Sequence, residues 1–313
     1  MSSPSTPAPR EATRLSEITP LQWKSGIAAW LGWMFDGLEL HIYTLVAGPL
    51  MLTLMVATAA TTEINEKKSL IQAAFLIGWA LGGGFFGRLG DRLGRSRTLA
   101  LTVLTYAICT GLCAFAQTWW QLMIFRFISA LGIGGEWAVG SALLSETWPR
   151  KWRPWLAAIL QTGVNIGILI AATLVFLFMP AIKHLFDPGQ SGGLHSLIVS
   201  AQGIFPKLSP EHLVFLIGVL PAFFVFWIRR KVPETAEWSN ASSAATVKPG
   251  VRDLFKGDIV RTTVVTTIAC ALGLTVWWVF QFWQAQHLRK LLDADGQTPK
   301  ERITPLITAA FFT

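Results

Sequence analysis

Apolar residues fill this chain in long, nearly unbroken runs, and the polar face of a water-soluble helical bundle is missing. The runs predict membrane-spanning helices near residues 24–50, 69–87, 98–117, 119–145, 155–180, 212–228 and 260–283. Each is close to the roughly 20 residues a helix needs to cross the hydrocarbon core. An eighth run opens near residue 304 and stops at Thr313. That is about ten residues into a segment expected to be twice as long, so the chain reads as a fragment or a truncated reading frame. Between the sixth and seventh runs stands the polar stretch KVPETAEWSNASSAATVKPGVRDLFKGD. The expected organisation is therefore a disordered tail over residues 1–20, six spans over 21–230, a linker over 231–258, and from 259 to 313 the start of a second group of spans.

Composition agrees. Of the 313 residues, 52% are hydrophobic and 14% charged, against about 25% charged in soluble domains; the mean hydropathy is +0.48. The first twenty residues, MSSPSTPAPREATRLSEITP, have no apolar core and do not form a signal peptide. Cys109, Cys113 and Cys270 all fall within apolar runs and read as small buried hydrophobes. They form neither a disulfide framework nor a metal site. No metal or cofactor is expected. No Walker sequence, nucleophile–base set or metal cluster is visible, so an enzyme is not expected either.

The net charge of +8 could point to nucleic acid, but its distribution excludes that partner. Arg88, Arg92, Arg95 and Arg97 lie between spans two and three, Arg150, Lys151 and Arg153 between four and five, and Arg229, Arg230, Lys231, Lys248, Arg252 and Lys256 after six. The alternate loops are nearly neutral. This alternation follows the positive-inside rule. It implies a multi-pass protein of the inner cell membrane, embedded in the lipid bilayer, with a cytoplasmic N-terminus. Tryptophans at span ends, such as Trp119, Trp120, Trp148 and Trp152, fit an interfacial belt.

Four ionisable residues fall at depth: Asp36 and Glu39 in the first span, Arg126 and Glu136 in the fourth. Each costs about 2.5–3.5 kcal/mol near a helix centre, roughly 10 kcal/mol together if unpaired. Asp36 and Glu39 share a helix face, and Tyr43 joins them. His41 points about 140° away from Asp36 and reads as a packed histidine. Arg126 and Glu136 lie about 15 Å apart along one helix and cannot pair, so Arg126 needs an acid from another helix, and span one offers two. Such a set serves either proton coupling, through interacting acids, or helix packing, through a buried ion pair. The acids sit in the first helix of each three-helix group, as inverted three-helix repeats around a cavity require.

The stretch GRLGDRLGRSR, residues 87–97, resembles the loop signature of the major facilitator superfamily, G-x-x-x-D-R-x-G-R-[RK]. Gly87, Asp91, Arg92, Gly94 and Arg95 match, and Ser96 replaces the last basic residue. RFISALGIGGEW…SETWPRKWR resembles the fourth-helix pattern of sugar and organic-acid porters, with Arg126, Gly132, Gly134, Glu146, Pro149 and Arg153 matching and Pro154 where glycine is usual. FDGLE resembles the D-G-x-D of aromatic-acid, sialic-acid and monocarboxylate proton symporters, with Glu39 replacing the second aspartate. VPETAEW loosely resembles P-E-S-P-x-W after the sixth helix, broken by Ala236.

The resemblance implies an all-α integral membrane fold: a major-facilitator-type helical bundle with its N-terminal six-helix half and the start of the C-terminal half. It implies a secondary active transporter that moves a small organic acid or sugar-like solute with protons, by alternating access. The alternatives are a non-transporting membrane sensor on the same fold, or an inactive fragment. In this reading Asp36 and Glu39 carry the proton, with Arg126 as partner. Gln161 faces the solute, eight residues past Arg153, with Asn165 one turn on; Glu136 and Tyr43 are further solute-facing candidates. Gly87, Asp91, Arg92, Gly94 and Arg95, with Glu146 and Arg153, form a cytoplasmic gate.

Overall fold

The structure is a computed structural model that describes residues 14–55, 60–190, 192–244 and 250–295. The eighth apolar run, and all of the N-terminal tail before residue 14, lie outside the described residues. The chain divides into two compact units at residue 244.

In the first unit, α1 (Pro20–Leu54) opens on a capping box. The Gln22 backbone N–H donates to Thr19 Oγ1, the Thr19 N–H donates to Gln22 Oε1, and Pro20 occupies the first turn, where its missing N–H is harmless. Next come α2 (Thr61–Leu93) and α3 (Arg95–Cys113). A single residue joins them: Gly94, at φ +104°, a conformation that L side chains avoid. Then α4 (Trp119–Thr147) starts from a Thr118 cap, and a 3-10 turn over residues 150–152 leads into α5 (Arg153–Leu185), whose first turn accommodates Pro154.

The chain between spans five and six, expected as a loop, contains a further helix, α6 (Gly193–Ile204). The sixth span is broken into α7 (Pro210–Val214), a 3-10 segment (Phe215–Val219) and α8 (Pro221–Lys231). Pro221 explains the break: it has no N–H to donate, and its ring would meet the carbonyl of Ile217 in a continuous α-helix. Together the three pieces still cover about 33 Å at 1.5 Å per residue, enough to cross a bilayer. The expected linker contains α9 (Ala236–Ala244). The second unit contains a 3-10 turn, Val251–Phe255, and α10 (Ile259–Asp295), the expected seventh span.

In the first unit α2 packs on α4, α1 on α5, and α3 on α4 and α8. Two reciprocal glycine contacts bring the backbones together. A Cβ at Gly82 would collide with the Leu131 carbonyl and one at Gly134 with the Trp79 carbonyl; Gly37 and Gly167 stand likewise against Val164 and Met34. Glycine spacing of this kind is the usual means of close helix approach in lipid.

The outer faces are apolar: Ile77, Leu81, Phe85, Trp155, Ile159 and Phe176 are exposed, which suits hydrocarbon and not water. Among the described residues six helices are long and apolar enough to cross a membrane. Two sequence expectations need correction. Trp148 is no interfacial anchor: it is buried, donates its indole N–H to the Gln22 carbonyl at 2.8 Å, and meets Trp23 edge-on. Cys270 is exposed on α10, whereas Cys109 and Cys113 are buried as expected.

Candidate functional site

Asp36, Glu39, Arg126 and Glu136 are all wholly inaccessible to solvent. The helix pitch places Asp36, Glu39 and Tyr43 along one face of α1, toward α4, which carries Arg126 and Glu136. Of the two acids available to it, Arg126 pairs with Glu39. Glu39 Oε1 also accepts from Thr110 Oγ1 of α3 and Ser129 Oγ of α4, each at 2.8 Å, and these two hydroxyls lie 3.1 Å apart. All donors thus converge on one oxygen, while Glu39 Oε2, Arg126 Nε and Arg126 Nη2 have no partner among the described residues. The guanidinium lies 4.2 Å from the Phe75 ring and 5.2 Å from the Tyr43 ring, inside cation–π range. His41 bonds the Gly37 carbonyl at 3.0 Å, as a packed histidine does.

Asp36 and Glu136 form a second locus. A Cβ added to Gly32, one turn before Asp36, would collide with the Glu136 carboxylate, so that carboxylate rests directly on the α1 backbone. Asp36 stands one turn after Gly32 and three residues before Glu39 on the same helix. Neither Asp36 nor Glu136 accepts a hydrogen bond among the described residues. The Trp137 indole faces Asp36 and the Tyr106 hydroxyl faces Glu136, both short of bonding geometry. Trp137 stacks on Trp33 with centroids 4.3 Å apart, which closes the locus on one side. Gln161 and Asn165 are not part of this cluster: they lie one turn apart on an exposed stripe of α5.

At the opposite end of α3 a polar network ties three segments. Arg95 Nε donates to Glu146 Oε1 at 2.8 Å, and Arg95 Nη1 donates to Asp91 Oδ1 at 2.6 Å. Gly94 makes the turn, Gly87 is half-buried on α2, and Arg92 is exposed. Arg153 takes a different place from the expected one: its Nε donates to the Trp148 carbonyl at 3.1 Å, because the Pro149 turn folds it back over the end of α4.

Sequence reasoning gave no role to the segment after span six. Glu234 accepts from the backbone N–H groups of Ser96 at 3.2 Å and Arg97 at 3.0 Å, which satisfies the first turn of α3 and places a negative charge at the positive end of its dipole. Thr235 donates to Glu146 Oε2, and the Trp238 indole donates to the Asp91 carbonyl at 2.9 Å. The signal was the VPETAEW resemblance, whose Glu, Thr and Trp all engage. Thr110 and Ser129 had no distinguishing signal, since hydroxyl residues in spans commonly bond their own helix.

The chain matches the family described as "Sugar (and other) transporter" over residues 41–242. It is 30% identical to the sialic acid transporter NanX of Escherichia coli over 71% of this chain and 46% of the relative. It is 35% identical to the niacin transporter NiaP of Acinetobacter baylyi over 66% and 39%, and 32% identical to the benzoate transport protein of the same organism over 71% and 44%. The chain spans about half the length of the curated relatives it matches. Among solved structures, the inward-open xylose transporter XylE of E. coli has a TM-score of 0.56 at 18% identity, covering 86% of this chain and 60% of that one. A D-xylose–proton symporter has a TM-score of 0.58 at 16% identity, covering 91% and 65%. The fold is thus the all-α membrane bundle of the major facilitator superfamily, and the chain belongs to the sugar (and other) transporter family within it.

Proposed function

We propose that this chain supplies the proton-coupled half of a secondary active transporter, which moves a small organic acid or sugar-like solute with protons by alternating access. In this reading residues 21–230 form the first six-helix half, 231–258 the cytoplasmic linker, and 259 onward the opening of the second half. The alternation of basic loops supports an inner-membrane location with the N-terminus in the cytoplasm.

The observation that carries the reading is a solvent-inaccessible Glu39–Arg126 pair beside two buried carboxyls, Asp36 and Glu136, that accept no hydrogen bond among the described residues. An ionised carboxylate taken from water without a partner costs several kcal/mol or more. The closed packing therefore gives Asp36 and Glu136 no compensating partner among the described residues, and a proton exchanged where water enters can supply one. Glu39 offers an oxygen, Oε2, free to take a proton without displacing Thr110 or Ser129. Protonation there cancels the charge that holds Arg126, whose guanidinium then suits an incoming carboxylate. Sialic acid, niacin and benzoate, named for three relatives, are all carboxylic acids, which favours an anionic solute over a neutral sugar. Gln161 and Asn165 on the open face of α5, with Tyr43 and Glu136, are the further solute-facing candidates.

The Asp91–Arg95–Glu146 network acts as the cytoplasmic latch. Its pairs are partly solvated, and such pairs are individually weak, as a contact that opens and closes each cycle must be. Arg92 adjoins it in sequence, and Arg153 braces the end of α4 through the Trp148 carbonyl.

The test is uptake of labelled benzoate, nicotinate, sialic acid and xylose into proteoliposomes under an inward proton gradient. At least one acid should accumulate, lose accumulation on addition of a protonophore, and fail to accumulate in the Asp36→Asn/Glu39→Gln double variant. Accumulation that persists unchanged with the protonophore, or in the double variant, overturns the coupling role.

A further inference from the structure

Helix α6, Gly193–Ile204, has the wrong surface for a loop in water. At 100° per residue, Leu194, Leu197, Ile198, Ala201 and Ile204 fall within an arc of about 120°. Ser196 and Gly203 occupy the opposite side, and Ser200 lies on the flank, about 40° from Ile204. Ile198 and Ala201 are half-buried against the unit, but the rest of the arc is uncovered: Leu194 is 65% exposed, Leu197 66% and Ile204 74%.

The position of α6 in the fold indicates what covers that arc. At its N-terminal end His195 Nδ1 bonds the Leu185 carbonyl at 2.8 Å, the last residue of α5. At its C-terminal end the Phe205 ring lies 5.2 Å from Phe115, just past the end of α3, and Gln202 Nε2 donates to the Leu208 carbonyl ahead of α7. Both α3 and α5 run away from the Arg95–Glu146 network, so their C-terminal ends lie at the same side of the bundle. A helix about 18 Å long anchored at both of these ends runs along the rim of the bundle, where membrane-spanning helices leave the hydrocarbon.

We infer that α6 is a membrane-surface helix, lying along the bilayer boundary with Leu194, Leu197 and Ile204 sunk into the acyl chains of the leaflet at which α5 ends. A 12-residue helix is too short to span and has the segregated faces of an interfacial one. By this placement α6 seals the rim between α5 and α3 against lipid and fixes the height of the bundle in the membrane. The inference depends only on the spanning character of α3 and α5 and holds for any solute.

The test uses the full chain with Cys109, Cys113 and Cys270 replaced by alanine, and single cysteines at 194, 197, 204, 196, 199 or 200, each carrying a nitroxide. The protein is reconstituted in phosphatidylethanolamine–phosphatidylglycerol vesicles, and collision rates with oxygen and with a water-soluble nickel chelate are measured. At 194, 197 and 204 the oxygen-to-nickel ratio should exceed that at 196 severalfold, with 200 in between, placing the first three labels about 5–10 Å below the headgroups. Val199 discriminates further. It is apolar and 52% exposed, yet about 140° from Leu194 around the helix, so its label should report water. Nickel-dominated collisions at all six positions overturn the inference. So does exclusion of both reagents at 194, 197 and 204, which would mean that a second copy or another segment covers the arc. Rapid isotropic motion at all six positions, meaning no helix, overturns it equally.

Discussion

Replacing Glu39 with Gln removes one charge from a pair with no solvent exposure on either side. The amide keeps an acceptor oxygen for Thr110 and Ser129, so the loss is dominated by the abandoned guanidinium. Breaking a buried ion pair from one side costs about 3–5 kcal/mol. Arg126→Met, close in volume and apolar, abandons the carboxylate instead and gives up the ring contacts with Phe75 and Tyr43; a similar loss is expected. The double variant Glu39→Gln/Arg126→Met buries no charge from this pair, so its loss should fall short of the sum of the singles by at least about 2 kcal/mol, toward the upper range for contacting residues. Unfolding in dodecylmaltoside micelles by added dodecyl sulfate, followed by helical circular dichroism, measures all four proteins. Strict additivity of the two single losses would refute the ion pair as an energetic unit and leave its role in proton coupling without physical support.

The other predictions concern smaller features. Glu234→Ala should destabilise the first turn of α3 by about 1 kcal/mol and accelerate hydrogen exchange at the Ser96 and Arg97 amides; unchanged exchange there would remove Glu234 as the cap. Gly32→Ala should lower stability by about 1–3 kcal/mol through overpacking against Glu136, and Glu136→Ser should recover most of that loss in the double variant; no recovery means the collision lies elsewhere. The Gly250 backbone N–H and Lys256 beside Asp253 hold its carboxyl below the usual carboxylate range. Its contribution to that turn is therefore present above the unfolded-state value and lost as pH falls through the folded one; a carboxyl-carbon NMR titration with an ordinary midpoint would contradict this.

Much of the architecture was legible because lipid imposes a simple rule: a span must be long, apolar and helical. The same rule hid two features. The break in the sixth span comes from one proline within an otherwise apolar run, and hydropathy does not register a missing N–H. Helix α6 is too short to span, so hydropathy assigns it to a loop, although the spacing of Leu194, Leu197, Ile198, Ala201 and Ile204 carries a helical period. In the buried cluster the three-residue spacing puts Asp36 and Glu39 on one face, but the choice of Glu39 by Arg126 depends on the height of α4 against α1, which no spacing within either helix fixes. Asp91, Arg95 and Glu146 could be found from their motif. Glu234 acts on amides 138 and 137 residues away, and no local spacing predicts such a partner.

Thr110 has two sides, and both are engaged. Its hydroxyl serves Glu39, while its methyl group sits against Gly218, where an added Cβ would collide with it. Hydroxyl and methyl hang on one Cβ and change rotamer together, so the hydroxyl cannot leave the carboxyl without swinging the methyl. Gly218 belongs to the 3-10 segment Phe215–Val219, whose hydrogen bonding is weaker than that of an α-helix. The bonding of a core carboxyl and the packing of the 3-10 segment in the sixth span are thereby one constraint, held by a single threonine that cannot satisfy either without the other.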